Sequence, residues 1–299
     1  MKIAIFGGTG LLGSNLVKLY SKHDVRSFSR GHSNNVSRIK NNIINFDDLI
    51  EELSSYFDFW KPDIIINTVA IVSLQKCENN YDIANNVNCD IAIKISKVSK
   101  KYNSYFIHIS TDHYYDDNLK IHSEQEEIIL KNNYAITKFN AEKGIKKNNN
   151  KAIIVRTNIV GFRRGTSESF FEWLISSLKN NEKIYLYTNY YTSPISVKHL
   201  GKILLKCYEK NLSGTYNIAS SMVIDKYKFG LKVAKKFGFS AINIIATEVT
   251  KTSNDDLQRA LSLGLDVSKI ESALHEKMPT IDENINTLYS EYIGFNESK

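Results

Sequence analysis

Proline occurs three times in 299 residues, at Pro62, Pro194 and Pro279. No Pro-rich or Gly/Ser-rich linker therefore separates two autonomous domains. Cysteine is as scarce. Cys77, Cys89 and Cys207 are odd in number, have neither disulfide nor zinc-ligand spacing, and read as reduced, inert thiols of a cytoplasmic protein. No apolar run approaches the roughly 18 residues of a membrane span. The run Ile3 to Phe6 is cut short by glycines, which argues against a signal peptide. An acidic surplus is also missing: 39 basic against 32 acidic side chains leave a net charge of +7. The basic residues are spread along the chain, and the densest cluster, Lys143 to Lys151, reads as a solvated helix end and loop. With no helix-turn-helix, finger or aromatic–basic interleave, nucleic acid is a poor partner; moderate positive charge suits small phosphorylated ligands better. What is present, 42% hydrophobic and 24% charged residues, is the composition of an ordinary globular chain with a real core.

Short apolar runs alternate with amphipathic stretches through the first half. The expected strands are Lys2–Phe6, Asp24–Ser29, Asn42–Phe46, Asp63–Asn67, Tyr105–Ser110 and Ala152–Arg156. Their β-branched content (IAIF, DIIIN, AIIVR) suits strands buried on both faces. The expected helices are Leu11–Ser21, Leu49–Phe57, Ala84–Tyr102 and Tyr134–Lys147. This is the pattern of a doubly wound, Rossmann-type α/β fold with a parallel sheet. After Arg156 the rhythm changes to a helix at Ser167–Leu178, a strand at Ile184–Tyr187, a helix at Val197–Glu209, a strand at Gly214–Ala219 and short helices with breaks at Gly238 and Gly264. The expectation is a dinucleotide-binding domain over residues 1–160 and about 193–222, with a smaller, interwoven substrate-binding lobe over 161–192 and 223–299.

Gly7, Gly10 and Gly13 fall in the spacing G-x-x-G-x-x-G between the first strand and the first helix. Glycines there allow a tight turn, bring backbone N–H groups against a pyrophosphate and let the helix pack close to the sheet. The helix N-terminus adds partial positive charge to the anion site. Cofactor choice is expected at the end of the second strand, where an acidic residue favours NAD and a basic one accommodates a 2′-phosphate. The strand ends Ser29-Arg30-Gly31, with Arg26 nearby. NADPH is therefore expected, with NADH as the alternative and a plain surface charge as the competing reading of Arg30.

Tyr134 and Lys138 form a Y-x-x-x-K pair on one face of an expected helix. Chance alone gives about two such matches in a chain with 17 tyrosines. Position raises this one, because it lies between the fifth and sixth strands of the nucleotide fold. A phenol titrating near 10 is a poor proton donor at neutral pH, and a neighbouring ammonium eases its ionisation. Ser110-Thr111-Asp112 follows the fifth strand, at the carboxyl edge where ligands of open α/β sheets bind. A Thr111 hydroxyl there could bond a substrate carbonyl oxygen.

Taken together these features resemble the extended short-chain dehydrogenase/reductase family, and within it the dTDP-4-dehydrorhamnose reductase-like group. The resemblance runs over nearly the whole chain. It takes in the glycine motif, Asn67 to Ala70, Asn88, HISTD (108–112), Tyr134/Lys138 with Ala141-Glu142, VRTNIVG (155–161), GTYNIAS (214–220) and LDVSKIESAL (265–274). It implies a Thr111, Tyr134 and Lys138 catalytic set and NADPH reduction of a 4-keto nucleotide-deoxysugar. It also implies a dinucleotide held by Gly7, Thr9, Gly10, Leu11, Leu12, Gly13, Ser29, Arg30, Asn67, Ala70, Tyr134 and Lys138. Substrate contacts fall to Asn158, Arg259 and His113, with a loop histidine of no catalytic role as the competing reading of the last, and a homodimer is implied. No metal is.

The chain departs from the group on the substrate side. His113-Tyr114-Tyr115-Asp116-Asp117 replaces the usual Y-V-F-D-G, Pro194-Ile195 replaces Pro-Thr, and Arg259-Ala260 replaces Arg-Pro. Histidine at 113, where related dehydratases need glutamate, disfavours elimination chemistry. Phe170, Phe171 and Trp173 read as core, with stacking on a base as the alternative. Two other functions stand beside the reductase: a nucleotide-sugar epimerase with retained NAD, and a non-catalytic dinucleotide-binding regulatory subunit.

Overall fold

The computed structural model describes residues 1–30, 41–43, 48–115, 121–163, 165, 167–250 and 258–296. Gly31, residues 44–46 of the third expected strand and Asp116-Asp117 lie outside the described residues. Contacts divide the chain into two units, one of Met1–Thr111, Leu130–Arg156 and Gly201–Tyr216, the other of Asp112–Ile129, Thr157–Leu200 and Asn217–Lys299.

The first unit begins with strand β1 (Lys2–Phe6), helix α1 (Leu11–Leu19), β2 (Asp24–Ser29), β3 (Asn41–Ile43), α2 (Leu49–Trp60) and β4 (Ile64–Asn67). Helices α3 (Leu74–Asn79) and α4 (Tyr81–Asn85) follow. A π turn at Asn86–Asp90 then leads into α5 (Ile91–Lys101), β5 (Tyr105–Ile109), α6 (Asn133–Asn148) and β6 (Ile153–Arg156). The expected helix Ala84–Tyr102 is thus real, but one turn of it is widened. With β11 (Gly214–Asn217), these strands form a seven-stranded sheet in the order β11-β6-β5-β4-β1-β2-β3. Every adjacent pair from β3 across to β6 runs parallel. The doubly wound fold is therefore as expected. Ile3, Ile5, Ile64, Ile65, Ile66 and Ile107 are fully buried, which is why β-branched runs without polar alternation form these strands. The strand order reverses between β1 and β4, and ligands of such sheets bind at that switch point.

In the second unit β7 (Asn158–Val160) pairs parallel with β10 (Pro194–Ser196). β8 (Ile184–Tyr187) pairs parallel with β13 (Ile244–Thr247), while β9 (Tyr191–Thr192) lies between β12 (Ile224–Asp225) and β14 (Ser262–Leu263). Helices α7 (Phe170–Lys179), α9 (Lys226–Phe237) and α11 (Ile281–Asn296) enclose a core of Phe171, Leu174, Phe229, Val233, Phe237 and Leu288. Helix α8 (Val197–Glu209) runs from this unit into the first, and α10 (Ser268–Leu274) precedes α11. The helix expected from Ser167 starts at Phe170, because Ser169 and Glu172 close a capping box ahead of it. Of the aromatic trio, Phe171 is core. Phe170 is only partly buried and Trp173 is 37% exposed, so the expectation of core holds for one of the three.

Candidate active site

The glycine turn is built by contact. Gly7 has φ +84°, and a Cβ there would come within 2.7 Å of Thr68 Oγ1 and 3.1 Å of Val69 N. A Cβ on Gly13 would lie 2.3 Å from Gly7 O, so α1 reaches the sheet only through glycine. Gly7 N–H donates to Phe28 O at 2.9 Å and Gly10 N–H to Gly7 O at 2.9 Å, joining the turn to the end of β2. The first helical bond of α1 is Ser14 N–H to Gly10 O, and no side chain caps the helix. The N–H groups of Leu11, Leu12 and Gly13 thus face out of its end. Among the described residues, a Cβ on Gly10 would have one close neighbour, Gly7 O at 3.3 Å. An open glycine beside an uncapped helix end is the shape and polarity that a pyrophosphate requires. Thr9 is exposed, and Ala70 is half-buried in the loop after β4.

At the end of β2, Ser29 is buried and Arg30 exposed. Arg26 is committed elsewhere: its guanidinium lies 4.4 Å over Trp60 and 5.2 Å over Tyr56, and donates to the Tyr56 hydroxyl at 2.6 Å. Among the described residues, Arg30 is then the basic side chain that follows the strand's carboxyl end.

Tyr134 and Lys138 stand one turn apart on α6. Asn132 caps that helix by accepting from Ala135 N–H at 2.9 Å, and Glu78 accepts from Asn133 N–H at 2.7 Å. Tyr134 is buried with Cys77 and Ala84. Lys138 is 1% exposed and donates from Nζ to Ile109 O, 2.8 Å away at the end of β5, two residues before the buried Thr111. Burial pushes the Lys138 ammonium down to about 8, against Glu142 and Cys89, which favour it. Lys138 Nζ also lies 3.4 Å from His108 Nε2, and His108 Nδ1 lies 3.2 Å from the Asn67 amide nitrogen. Burial, with the Lys138 charge second, holds His108 well below the usual imidazole range, so the ring is neutral.

Behind the pair, Glu142 accepts from Arg156 Nη2 at 2.8 Å, Arg156 Nε at 3.1 Å and Ser110 Oγ at 2.6 Å, all buried. Asn88, on the π turn, accepts from Ile71 N–H at 2.7 Å and donates to Ile71 O at 3.2 Å and Thr137 Oγ1 at 3.1 Å. The widened turn thus ties the loop after β4 to α6, a use typical of π bulges near sites.

In the second unit, Asn158 Nδ2 donates to Asp112 Oδ2 at 2.7 Å, and His113 Nε2 lies 3.9 Å from Asp112 Oδ1. Burial raises the Asp112 carboxyl and lowers both His113 and Lys226, the last to about 8. Lys226 Nζ sits 4.4 Å over Phe170 and 5.6 Å over Tyr190. Arg259 is exposed and couples electrostatically to His113. Asn158, Asp112 and His113 form one polar group, and the charge of Arg259 acts on its imidazole. Among the described residues no cluster of His, Cys, Asp and Glu could hold a metal ion, and no helix is long and apolar enough to cross a membrane.

The model of the RmlD substrate binding domain family matches residues 1–293. The chain belongs to that family. It is 26% identical over 299 residues to the probable low-salt glycan biosynthesis reductase Agl14 of Haloferax volcanii, spanning 97% of this chain and 98% of that one. It is 23% identical to methionine adenosyltransferase 2 subunit beta of Bos taurus, over 91% of this chain and 82% of that one. In fold it matches the crystal structure of dTDP-4-dehydrorhamnose reductase from Bacillus anthracis in complex with NADP. That match has a TM-score of 0.84 at 20% identity and covers 97% of this chain and 98% of that one. The resemblance read from the motifs is borne out, and the RmlD-type family places the chain among oxidoreductases of the nucleotide-sugar reductase kind.

Several residues escape sequence reasoning as chemical groups: in the first unit His108, Asn67 as its hydrogen-bond partner and the Glu142–Arg156 pair, and in the second Lys226. The usable signal was polarity out of place. His108 interrupts a buried strand, YFIHI, and Glu142 and Arg156 sit where their neighbours are apolar.

Proposed function

We propose that the chain reduces the 4-keto group of a nucleotide-linked deoxysugar with NADPH. The observation that carries this reading is the placement of Tyr134 and the buried Lys138 on one face of α6, with Lys138 bonded to the end of β5 just before Thr111. The dinucleotide, when bound, supplies hydride to the ketone carbon. Tyr134 gives its phenolic proton to the oxygen that becomes alkoxide, so that hydride plus proton turn ketone into alcohol. Thr111 donates a hydrogen bond to that oxygen, and the Lys138 ammonium stabilises the tyrosine's phenolate. The glycine turn with the end of α1 would hold the pyrophosphate and Arg30 the 2′-phosphate, with Ser29, Asn67 and Ala70 as the further residues toward the cofactor. By the family resemblance, His113, Asn158 and Arg259 are the residues assigned to contacts with the sugar. The NADP-bound Bacillus anthracis relative and the glycan biosynthesis reductase support the reading.

The test is loss of NADPH absorbance with a panel of dTDP-, UDP-, GDP- and CDP-linked 4-keto-6-deoxysugars. Turnover of one of them is expected. Bound NADPH with no turnover across the panel overturns the reading. It would favour the second reading, a non-catalytic dinucleotide-binding subunit, beside the likeness to methionine adenosyltransferase 2 subunit beta.

A further inference from the structure

The polar chain behind Lys138 fixes where one hydrogen sits. Asn67 Oδ1 accepts from Val69 N–H at 3.1 Å. A backbone N–H only donates, so that amide atom is the oxygen, and the atom 3.2 Å from His108 Nδ1 is the NH₂ nitrogen. An amide NH₂ also only donates. His108 Nδ1 must accept, and the neutral ring therefore carries its hydrogen on Nε2. That N–H is turned on Lys138 Nζ, 3.4 Å away. An ammonium offers it three hydrogens and no lone pair, whereas an amine offers a lone pair. Nζ can donate to Ile109 O at 2.8 Å in either form, so this second contact does not discriminate.

We propose that His108, oriented by Asn67, is a positioning residue for Lys138 that favours the amine over the ammonium in the cofactor-free protein. The inference rests on the reading of Lys138 given above, and it adds a residue that sets when the site loses its cation. Among the described residues, Glu142 on its own helix and Cys89 on the π turn favour the ammonium, and the Tyr134 phenol stands one turn away on the same face of α6. Arg156, from β6, is bonded to Glu142 and restrains that effect. Burial and the His108 N–H act in the opposite sense. In the reductase, a lysine that sheds its proton close to neutral pH makes phenolate stabilisation, and hence turnover, fail on the alkaline side.

The test uses the full chain without cofactor, labelled with ¹⁵N-histidine. Long-range ¹H–¹⁵N spectra should show His108 with a bare Nδ1 and a protonated Nε2, unchanged between about pH 6 and 8. In Asn67→Asp, whose carboxylate accepts from both neighbours, the hydrogen should move to Nδ1 and the bare Nε2 should then accept from the lysine. In the same protein the Lys138 Cε resonance should titrate near 8. It should move up by about one pH unit, a tenfold change in proton affinity, in both Asn67→Asp and His108→Leu. The alkaline limb of kcat should move with it. A protonated Nδ1 or an imidazolium in the wild-type protein overturns the proposal. So does a Lys138 midpoint that stays put in Asn67→Asp while activity falls, the signature of a merely structural role. The spectra need no substrate, so an absence of turnover would count against the reductase reading and leave this test standing.

Discussion

At the scale of single residues, the side chains differ in how far the linear chain revealed them. Tyr134 and Lys138 were legible because a chance-level spacing fell at a meaningful place between two strands. In the structure both are buried, which a solvated surface helix would not require. Tyr134→Phe keeps the ring and removes the proton. It should lower kcat by about 10²- to 10⁴-fold while NADPH still binds, as read by NADPH fluorescence beside steady-state rates. Arg30 was legible as the basic residue ending β2, but its neighbour Arg26 could be set aside only once the Trp60 and Tyr56 rings were seen beneath it. Arg30→Ala should weaken NADPH binding by roughly tenfold or more and leave NADH nearly unchanged, since a charge-assisted phosphate contact is worth about 1.5–3 kcal/mol. Equal losses for both cofactors would remove Arg30 from the 2′-phosphate. His108 and Asn67 stayed hidden for a physical reason: their roles depend on which atom of an amide faces a ring, and no pattern of residue types encodes that.

At the scale of elements, period made the expected strands and helices readable to within a few residues, while α3, most short strands of the second unit and the π turn did not show. Its sequence, NVNCD, keeps the apolar spacing of an ordinary helix, and only the hydrogen bonds of Asn88 to Ile71 and Thr137 explain why the turn is widened there. The glycine turn separates two kinds of requirement. Gly13→Ala would drive a Cβ to 2.3 Å from Gly7 O, so it should lower Tm and cofactor affinity together. Gly10→Ala meets Gly7 O only at 3.3 Å. It should cost little stability yet weaken dinucleotide binding by an order of magnitude or more, because the methyl stands where the backbone must approach the pyrophosphate. Thermal melts with and without NADPH distinguish the two. Helix α6 is fastened to β6 by Glu142 and Arg156. Glu142→Ala strands a buried guanidinium and should cost about 3–5 kcal/mol, read as a lower midpoint in urea. Double replacement with Arg156→Met should recover much of the loss if the penalty is the unpaired charge.

For the molecule as a whole, the doubly wound order followed from the alternation of apolar runs with amphipathic stretches. Its stability against pH is a property no motif announces, because it sums buried groups from distant elements. Burial lowers Lys138 and Lys226 to about 8, below the ordinary lysine value. Between about 8 and 10 the unfolded chain therefore holds protons that the folded chain has shed, and stability rises with pH. The cysteines act oppositely. Burial raises Cys77, lifts Cys89 to about 11 and Cys207 to about 12, so above 9 the unfolded thiols ionise first and stability falls. Buried Tyr20 and Tyr105, also raised, add to that fall above 10. On the acid side His108 stays neutral while its unfolded counterpart takes a proton below about 6.5, which again costs stability. Among the described residues, two lysines against three thiols put the maximum near pH 9. Melting curves of the cofactor-free protein from pH 6 to 10 should rise to that point and then turn down. In Lys138→Met the rise between 8 and 9 should flatten, and Tm at pH 7 should increase, because the variant no longer buries a charge. An unchanged slope in that variant would mean that Lys138 keeps its proton in the fold, contrary to the surroundings found for it.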